Sequence, residues 1–178
     1  MRPIGRDRAN RLKGLRVIGI DPGSRICGYG IVECETGSNG KDGCRYVASG
    51  RIEMSPADAL HARLNDIYSA LAEIIREYRP VEAVIERVFF AKSVKAALHL
   101  GHARGVSMLA ATSQGLRVYE YSALQVKKAL VGYGRAEKSQ VQAMVRAFLD
   151  LKIALSPDSA DALALSICHL NTVKFPKR

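Results

Sequence analysis

Four carboxylates in this sequence are placed where they could work together. Asp21 ends the apolar run Leu15-Arg-Val-Ile-Gly-Ile-Asp21, and Glu86 ends a second one, Val81-Glu-Ala-Val-Ile-Glu86. Asp158 and Asp161 stand three residues apart at the opening of a helical stretch, which puts both on one helix face. Converging carboxylates repel one another unless positive charge lies between them. Hard divalent cations held by oxygen ligands solve that problem, and magnesium is the usual one. Two such ions about 3.5–4 Å apart can activate a water and stabilise a leaving oxygen in phosphodiester hydrolysis. Each aspartate alone also has an ordinary use: Asp21 in a D-P-G turn, Asp158 as a helix N-cap, Asp161 as a favourable charge near a helix N-terminus. Glu86, at the end of an otherwise apolar strand, has no such routine use. The four together, rather than any one, point to metal-assisted hydrolysis.

A sheet and a helix are needed to bring these acids together, and the sequence supplies both. Leu15 to Asp21, Ile26 to Cys34 and Arg45 to Met54 have the short, β-branched, turn-bounded pattern of strands. The turn Pro22-Gly-Ser24 and the loop Thr36-Gly-Ser-Asn-Gly-Lys-Asp-Gly43 separate them, so the three form an antiparallel meander. Ser55-Pro56 predicts a helix start, with Ser55 as cap and Pro56 in the first position. Leu60, Leu64, Ile67, Leu71, Ile74 and Tyr78 continue at helical steps until Pro80. Val81 to Glu86 is the fourth strand. Lys92 to Gln114 is helical, with Val94, Leu98, Met108 and Leu109 on its apolar side and Gly101 and Gly105 expected at close packing contacts. Leu116 to Tyr121 is the fifth strand. Ser122–Val131, Glu137–Leu149 and Asp158–Thr172 are helices, the first two separated by Gly132-Tyr-Gly134. The order β-β-β-α-β-α-β-α-α-α implies an α/β fold, a mixed five-stranded sheet flanked by helices. Strands one and four are then parallel neighbours with Asp21 and Glu86 at their carboxyl ends, where open α/β sheets place their sites.

Composition narrows the function classes. At 178 residues with 48% hydrophobic and 25% charged residues, the chain can bury a real core as one domain, and disorder throughout, collagen and a disulfide mini-protein are excluded. No window approaches 18 consecutive apolar residues, so no membrane span is expected. The first sixteen residues lack an apolar secretory core, and Cys27, Cys34, Cys44 and Cys168 fall into no metal or disulfide pattern, so a reduced, cytoplasmic protein is expected. Net charge is +10, and it is segregated: residues 1–16 carry +5, residues 17–86 carry −4, residues 87–152 carry +8, residues 153–173 carry −2 and residues 174–178 carry +3. Such a basic segment suits a phosphate-rich partner, though basic tails also serve solubility alone. His99 and His102 lie three apart on the third predicted element pair's helix, a spacing used by metals but more often by helix surfaces, and no carboxylate is near them in sequence. The Gly132–Gly134 segment reads as a helix-to-helix turn.

The motifs carry a family likeness. Gly19-Ile-Asp-Pro-Gly-Ser-Arg-Ile-Cys-Gly-Tyr-Gly30 resembles the opening of the RuvC family of bacterial crossover (Holliday) junction endodeoxyribonucleases. Ile85-Glu-Arg-Val-Phe89, Gly101-His-Ala-Arg-Gly105, Gln125-Val-Lys127, Ala136-Glu-Lys-Ser-Gln-Val141 and Asp158-Ser-Ala-Asp-Ala-Leu-Ala164 follow in the family order, over about residues 15–170. The resemblance implies an RNase H-like fold and a homodimer that nicks two opposed strands of a four-way DNA junction, leaving ligatable ends. It implies Asp21, Glu86, Asp158 and Asp161 as the catalytic acids, holding two Mg²⁺ per site (or Mn²⁺ in their place) while water attacks phosphorus. Lys127 and Lys138 match family lysines near the DNA, and Phe89 matches an aromatic that stacks on bases, although a phenylalanine beside a strand is commonly core. Arg135, Lys92 and Lys95 are further basic residues of the same stretch. RuvA and RuvB, the branch-migration proteins, are implied as partners. The expected layout is a basic flexible arm over 1–14, an RNase H-like nuclease domain over 15–173 and a short basic tail over 174–178. The arm is extra relative to the usual family start.

Three other functions compete. An actin-like or sugar-kinase-type ATPase also opens on an Asp-x-Gly-Ser hairpin, but needs a second such domain and motif. A non-cleaving junction-binding paralogue would have little reason to keep four acids, because buried carboxylates oppose stability unless used. An RNA/DNA-hybrid nuclease would share the fold and differ only in its motifs.

Overall fold

The computed structural model describes residues 13–36, 42–87 and 93–174. The arm, the tail from 175 onward, most of the 36–43 loop, and the segment containing Phe89 and Lys92 therefore lie outside the described residues.

The element order is the one the sequence predicts. The strands are β1 (Arg16–Asp21), β2 (Ile26–Thr36), β3 (Asp42–Glu53), β4 (Glu82–Glu86) and β5 (Arg117–Tyr121). The helices are α1 (Leu60–Tyr78), α2 (Val94–Ser113), α3 (Ala123–Val131), α4 (Lys138–Phe148) and α5 (Pro157–Lys174). The sheet runs β3-β2-β1-β4-β5. The β1–β2 and β2–β3 pairs are antiparallel, while β4 and β5 extend the sheet in parallel.

Strand alternation divides the core into two layers. Ile18 and Ile20 of β1 and Ala83 and Ile85 of β4 face α1 and α2, where they pack with Ile67, Leu71 and Ala110. Val17 of β1 and Val84 of β4 face α3, α4 and α5, where they pack with Leu130, Val145 and Leu163. Two-residue periodicity puts Asp21 and Glu86 on that second face, beside α5. The register runs Val17↔Glu82 to Ile20↔Ile85, so the two acids follow one residue past its end on adjacent parallel strands.

Helix α5 lies unusually close to the sheet because three strand residues have no side chain. A Cβ on Gly19 would collide with the Ala162 carbonyl, one on Gly28 with the Asp158 carbonyl, and one on Gly30 with Leu163. Below the acids, a buried polar network ties α5 to β4 and β5. The fully buried His169 meets Tyr121 Oη through Nδ1 at 2.9 Å and Glu82 Oε2 through Nε2 at 2.8 Å, and Tyr119 donates to Glu82 Oε1 at 3.2 Å. Burial lowers the His169 pKa from the ordinary histidine value, with the Glu82 carboxylate opposing the shift.

Three local expectations are corrected. Helix α1 begins at Leu60, not at Pro56: Ser55 instead closes a separate turn, accepting from Ala57 N–H through its hydroxyl at 3.2 Å and from Asp58 N–H through its carbonyl at 3.2 Å. Val94, Leu98 and Leu109 do not face the core, being 79%, 58% and 56% exposed. The buried side of α2 is its small-residue face, Ala103, Ser107, Ala110 and Ala111, which lets α2 approach its neighbours closely. Gly101 and Gly105 border no packed neighbour, since a Cβ on either would meet nothing within 4 Å.

Candidate active site

Each acid is delivered by a different local device. Asp21 ends β1 where Pro22, lacking an N–H, stops the strand. The loop behind it is held from α1: Arg63, only 8% exposed, donates from Nη1 to the Ser24 carbonyl at 2.8 Å. Glu86 ends β4. Asp158 is not the cap of α5. Ser156 fills that role, accepting from Ser159 N–H at 3.2 Å, and Asp158 follows within the first turn beside Asp161 one turn on. Gly28, the register partner of Asp21, leaves the space that Asp158 occupies over β2.

Asp21, Glu86, Asp161, Lys127 and Lys138 line one cleft of about 240 Å³, whose remaining wall is apolar. Asp158 stands at its margin, close enough to act on Asp21 electrostatically. Burial first, and then the charges of Asp161, Glu86 and Asp158, push Asp21 up to about 7. Burial and Asp161 likewise raise Glu86. Lys138 opposes both shifts. Its Nζ donates to Asp161 Oδ2 at 2.5 Å, and this bond holds the ammonium above the usual lysine range. Lys138 occupies the first position of α4, where the helix dipole disfavours a cation. The acid cluster compensates for that placement.

The two lysines arrive by capped turns. Ser122 and Gln125 form a capping box that opens α3 and sets Lys127 one turn later on the cleft side. Gly132, at φ 91°, closes α3 in the left-handed conformation, and Glu137 with Gln140 opens α4. The Gly132–Gly134 segment is thus the helix-to-helix turn that was expected. Arg135 is exposed just beyond it and does not line the cleft, and Lys95 is exposed at the start of α2. His99 and His102 share α2 with no carboxylate cluster. Among the described residues, no three His, Cys, Asp or Glu side chains are gathered at ligating distance. The acids share one region but stand apart, as like charges do with only Lys138 between them.

Sequence reasoning missed Arg63 and Arg104. Arg63 had a signal, since it interrupts the apolar face of α1 four residues before Ile67 and eight before Leu71. Arg104 stands in the Gly101–Gly105 motif, but its partner is not local: its Nε donates to the Glu86 carbonyl, 18 residues away, at 3.2 Å.

Comparison with known proteins gives the arrangement a context. The family profile described as crossover junction endodeoxyribonuclease RuvC matches residues 17–169. A protein of that name from Shewanella frigidimarina is 51% identical over 156 residues, spanning 88% of this chain and 87% of the relative. The structure of Thermus thermophilus RuvC in complex with Holliday junction substrate superposes with a TM-score of 0.82 at 34% identity, covering 90% of this chain and 95% of that one. The yeast mitochondrial Holliday junction resolvase Ydc2 shares the fold alone, at TM-score 0.62 and 11% identity, over 93% of this chain and 86% of its own. Among the described residues, no helix is long and apolar enough to cross a membrane. With its motifs, sheet order and acid-lined cleft on one fold, and with half of its aligned residues identical to a named relative, this chain belongs to the RuvC family of crossover junction endodeoxyribonucleases.

Proposed function

We propose that this protein is a structure-specific endodeoxyribonuclease that cuts four-way (Holliday) DNA junctions, with Asp21, Glu86, Asp158 and Asp161 as its catalytic acids. One observation carries the assignment of the site: Asp21, Glu86 and Asp161 line a single cleft in which burial and mutual repulsion push Asp21 up to about 7. Lys138 only partly offsets this group of hard, anionic oxygens, so it fits a divalent cation in donor chemistry and in charge. Mg²⁺ is the expected ion, two per site, with Mn²⁺ able to take its place. When bound, the cations supply Lewis-acid stabilisation and a water acidified for attack.

The chain's own residues do the remaining work. The carboxylates of Asp21, Glu86, Asp158 and Asp161 would hold the cations. Lys138, now paired with Asp161, offers an ammonium to the charge that builds on the transferring group. Lys127, on the same cleft wall, takes a neighbouring phosphate. Phe89 stacks on a base near the crossover, and Arg135 adds a peripheral phosphate contact. The apolar wall limits water around the reacting atoms.

Two such sites are needed for paired nicks, and a second copy of the chain supplies the other. The exposed Val94, Leu98 and Leu109 of α2, beside two glycines open to close approach, form the face we assign to that copy. A two-fold dimer presents two sites to a nearly two-fold substrate. RuvA and RuvB are the partners we expect on the junction. The basic segment 1–14 is assigned to the DNA, residues 15–173 to the nuclease domain and 174–178 to a short tail. The cytoplasm is the expected location, since the four cysteines follow no disulfide pattern and the proposed substrate is DNA.

The test is cleavage of a mobile synthetic four-way junction beside linear duplex and RNA/DNA hybrid, in Mg²⁺ and in EDTA. Symmetric, cation-dependent nicking of the junction alone is expected. Cleavage of hybrid but not junction would move the substrate to RNA/DNA, and junction binding with no cleavage would mark a non-cleaving paralogue.

A further inference from the structure

Arg104 sits midway along α2, on the face of the sheet opposite the acid cleft. It nevertheless reaches the residue that carries one of the acids. Its Nε donates to the backbone carbonyl of Glu86 at 3.2 Å, and its Nη2 pairs with the carboxylate of Glu120 on β5. Glu86 and Tyr121 are register partners, and Arg87 N–H donates to the Tyr121 carbonyl at 2.8 Å, so Glu120 is the strand residue just before that junction. One planar guanidinium therefore fastens the ends of β4 and β5 to α2. Its two donors point in fixed directions, which a lysine cannot reproduce.

We propose that Arg104 is a positioning residue: by gripping the Glu86 carbonyl from behind the sheet, it sets where the Glu86 carboxylate stands relative to Asp21 and Asp161. The inference rests on the carboxylate centre proposed above. The grip matters because Glu86 is the last residue of its strand, followed directly by the Arg87 N–H bond to the Tyr121 carbonyl. A misplacement of about 1 Å at a reacting group can lower a rate by about a hundredfold. The same helix carries the apolar face assigned to the second copy, so α2 links that face to the end of the Glu86 strand. A phosphate contact is the competing role for an arginine here. Against it, Arg104 does not line the cleft, and Glu120 already engages its charge.

The experiment compares wild type with Arg104→Gln, Arg104→Lys, Glu120→Gln and Asp21→Asn. Four quantities are read: single-turnover junction cleavage against Mg²⁺ concentration, Mn²⁺ affinity of the DNA-free protein by paramagnetic resonance, hydrogen exchange at the Arg87 amide, and junction affinity in EDTA over a salt series. Arg104→Gln is expected to slow cleavage about tenfold, raise the Mg²⁺ concentration at half-maximal rate, weaken Mn²⁺ binding severalfold and speed exchange at Arg87. Junction affinity and its salt slope stay as in wild type. Glu120→Gln shifts the same quantities the same way by less, and Arg104→Lys recovers little. Weaker junction binding with a salt slope reduced by about one in Arg104→Gln, together with tighter binding in Glu120→Gln, would make Arg104 a phosphate contact and overturn the proposal. Unchanged cation dependence in all three variants would overturn it as well. Full activity in Asp21→Asn would instead remove the carboxylate reading beneath it, whereas an inactive Asp21→Asn beside an unaffected Arg104→Gln would remove the positioning role alone.

Discussion

Asp21 is held where its charged form is least welcome. Burial first, then the charges of three neighbouring acids, raise its carboxyl to about 7, and Lys138 only partly offsets them. Between about pH 4 and 7 the folded, cation-free protein keeps a proton on Asp21 that the unfolded chain has released, so stability falls as pH rises through that window. Asp21→Asn removes the repulsion. In EDTA at pH 8 the variant is expected to be more stable than wild type by about 2 kcal/mol, with the gap closing toward pH 4. Calorimetry at the two pH values checks this, and an equal or lower melting temperature for the variant at pH 8 would show that Asp21 is not under charge stress. At this scale the sequence was informative about the acids, because strand ends and a three-residue helical spacing are local patterns. It did not reveal what Arg104 and Arg63 hold, because their carbonyl partners lie 18 and 39 residues away. It left Asp158 open as a plain cap of α5, and the fold gives that role to Ser156.

Among the elements, α5 decides the geometry of the site, and glycines in β1 and β2 decide where α5 can lie. Gly28→Val places a Cβ against the backbone of Asp158. Backbone cannot rotate away as a side chain can, so the helix start must shift. The variant is expected to lose about 2 kcal/mol of stability, within the usual range for overpacking, and to lose at least tenfold in junction cleavage at a temperature where it remains folded. Denaturant melts and single-turnover rates measured together check this; full activity would show that the spacing between α5 and β2 does not set the site. The order of elements was legible from periodicity throughout. Ends and faces were less so. Ser55-Pro56 is a good local turn as well as a good helix start, and the turn won. On α2 the large apolar residues suggested the core side, but the helix packs through Ala103, Ser107, Ala110 and Ala111, because small side chains allow the closer approach. A single chain's periodicity does not tell an apolar residue that faces the core from one left on the surface.

On the scale of the whole molecule, charge and symmetry complete the account. The +8 of residues 87–152 includes Lys127 and Lys138 on the acid cleft, so a polyanion meets basic side chains at the place where the carboxylates need cations. The exposed apolar face of α2 is expected to hold a second copy. Leu98→Glu, at a position 58% exposed and so without effect on the core, should yield a folded monomer by light scattering that no longer makes paired nicks. A dimer that survives the substitution would place the second copy elsewhere.

The central claim is that Asp21, Glu86, Asp158 and Asp161 form one cation-dependent catalytic centre. The most direct measurement is single-turnover junction cleavage in Mg²⁺ by Asp21→Asn, Glu86→Gln, Asp158→Asn and Asp161→Asn, each paired with junction affinity in EDTA. All four variants are expected to cleave at least about a hundredfold more slowly than wild type, in line with loss of a group that holds the catalytic charge, while binding the junction at least as tightly. Wild-type cleavage by any one of them, or a loss of cleavage fully accounted for by a loss of binding, would contradict the claim.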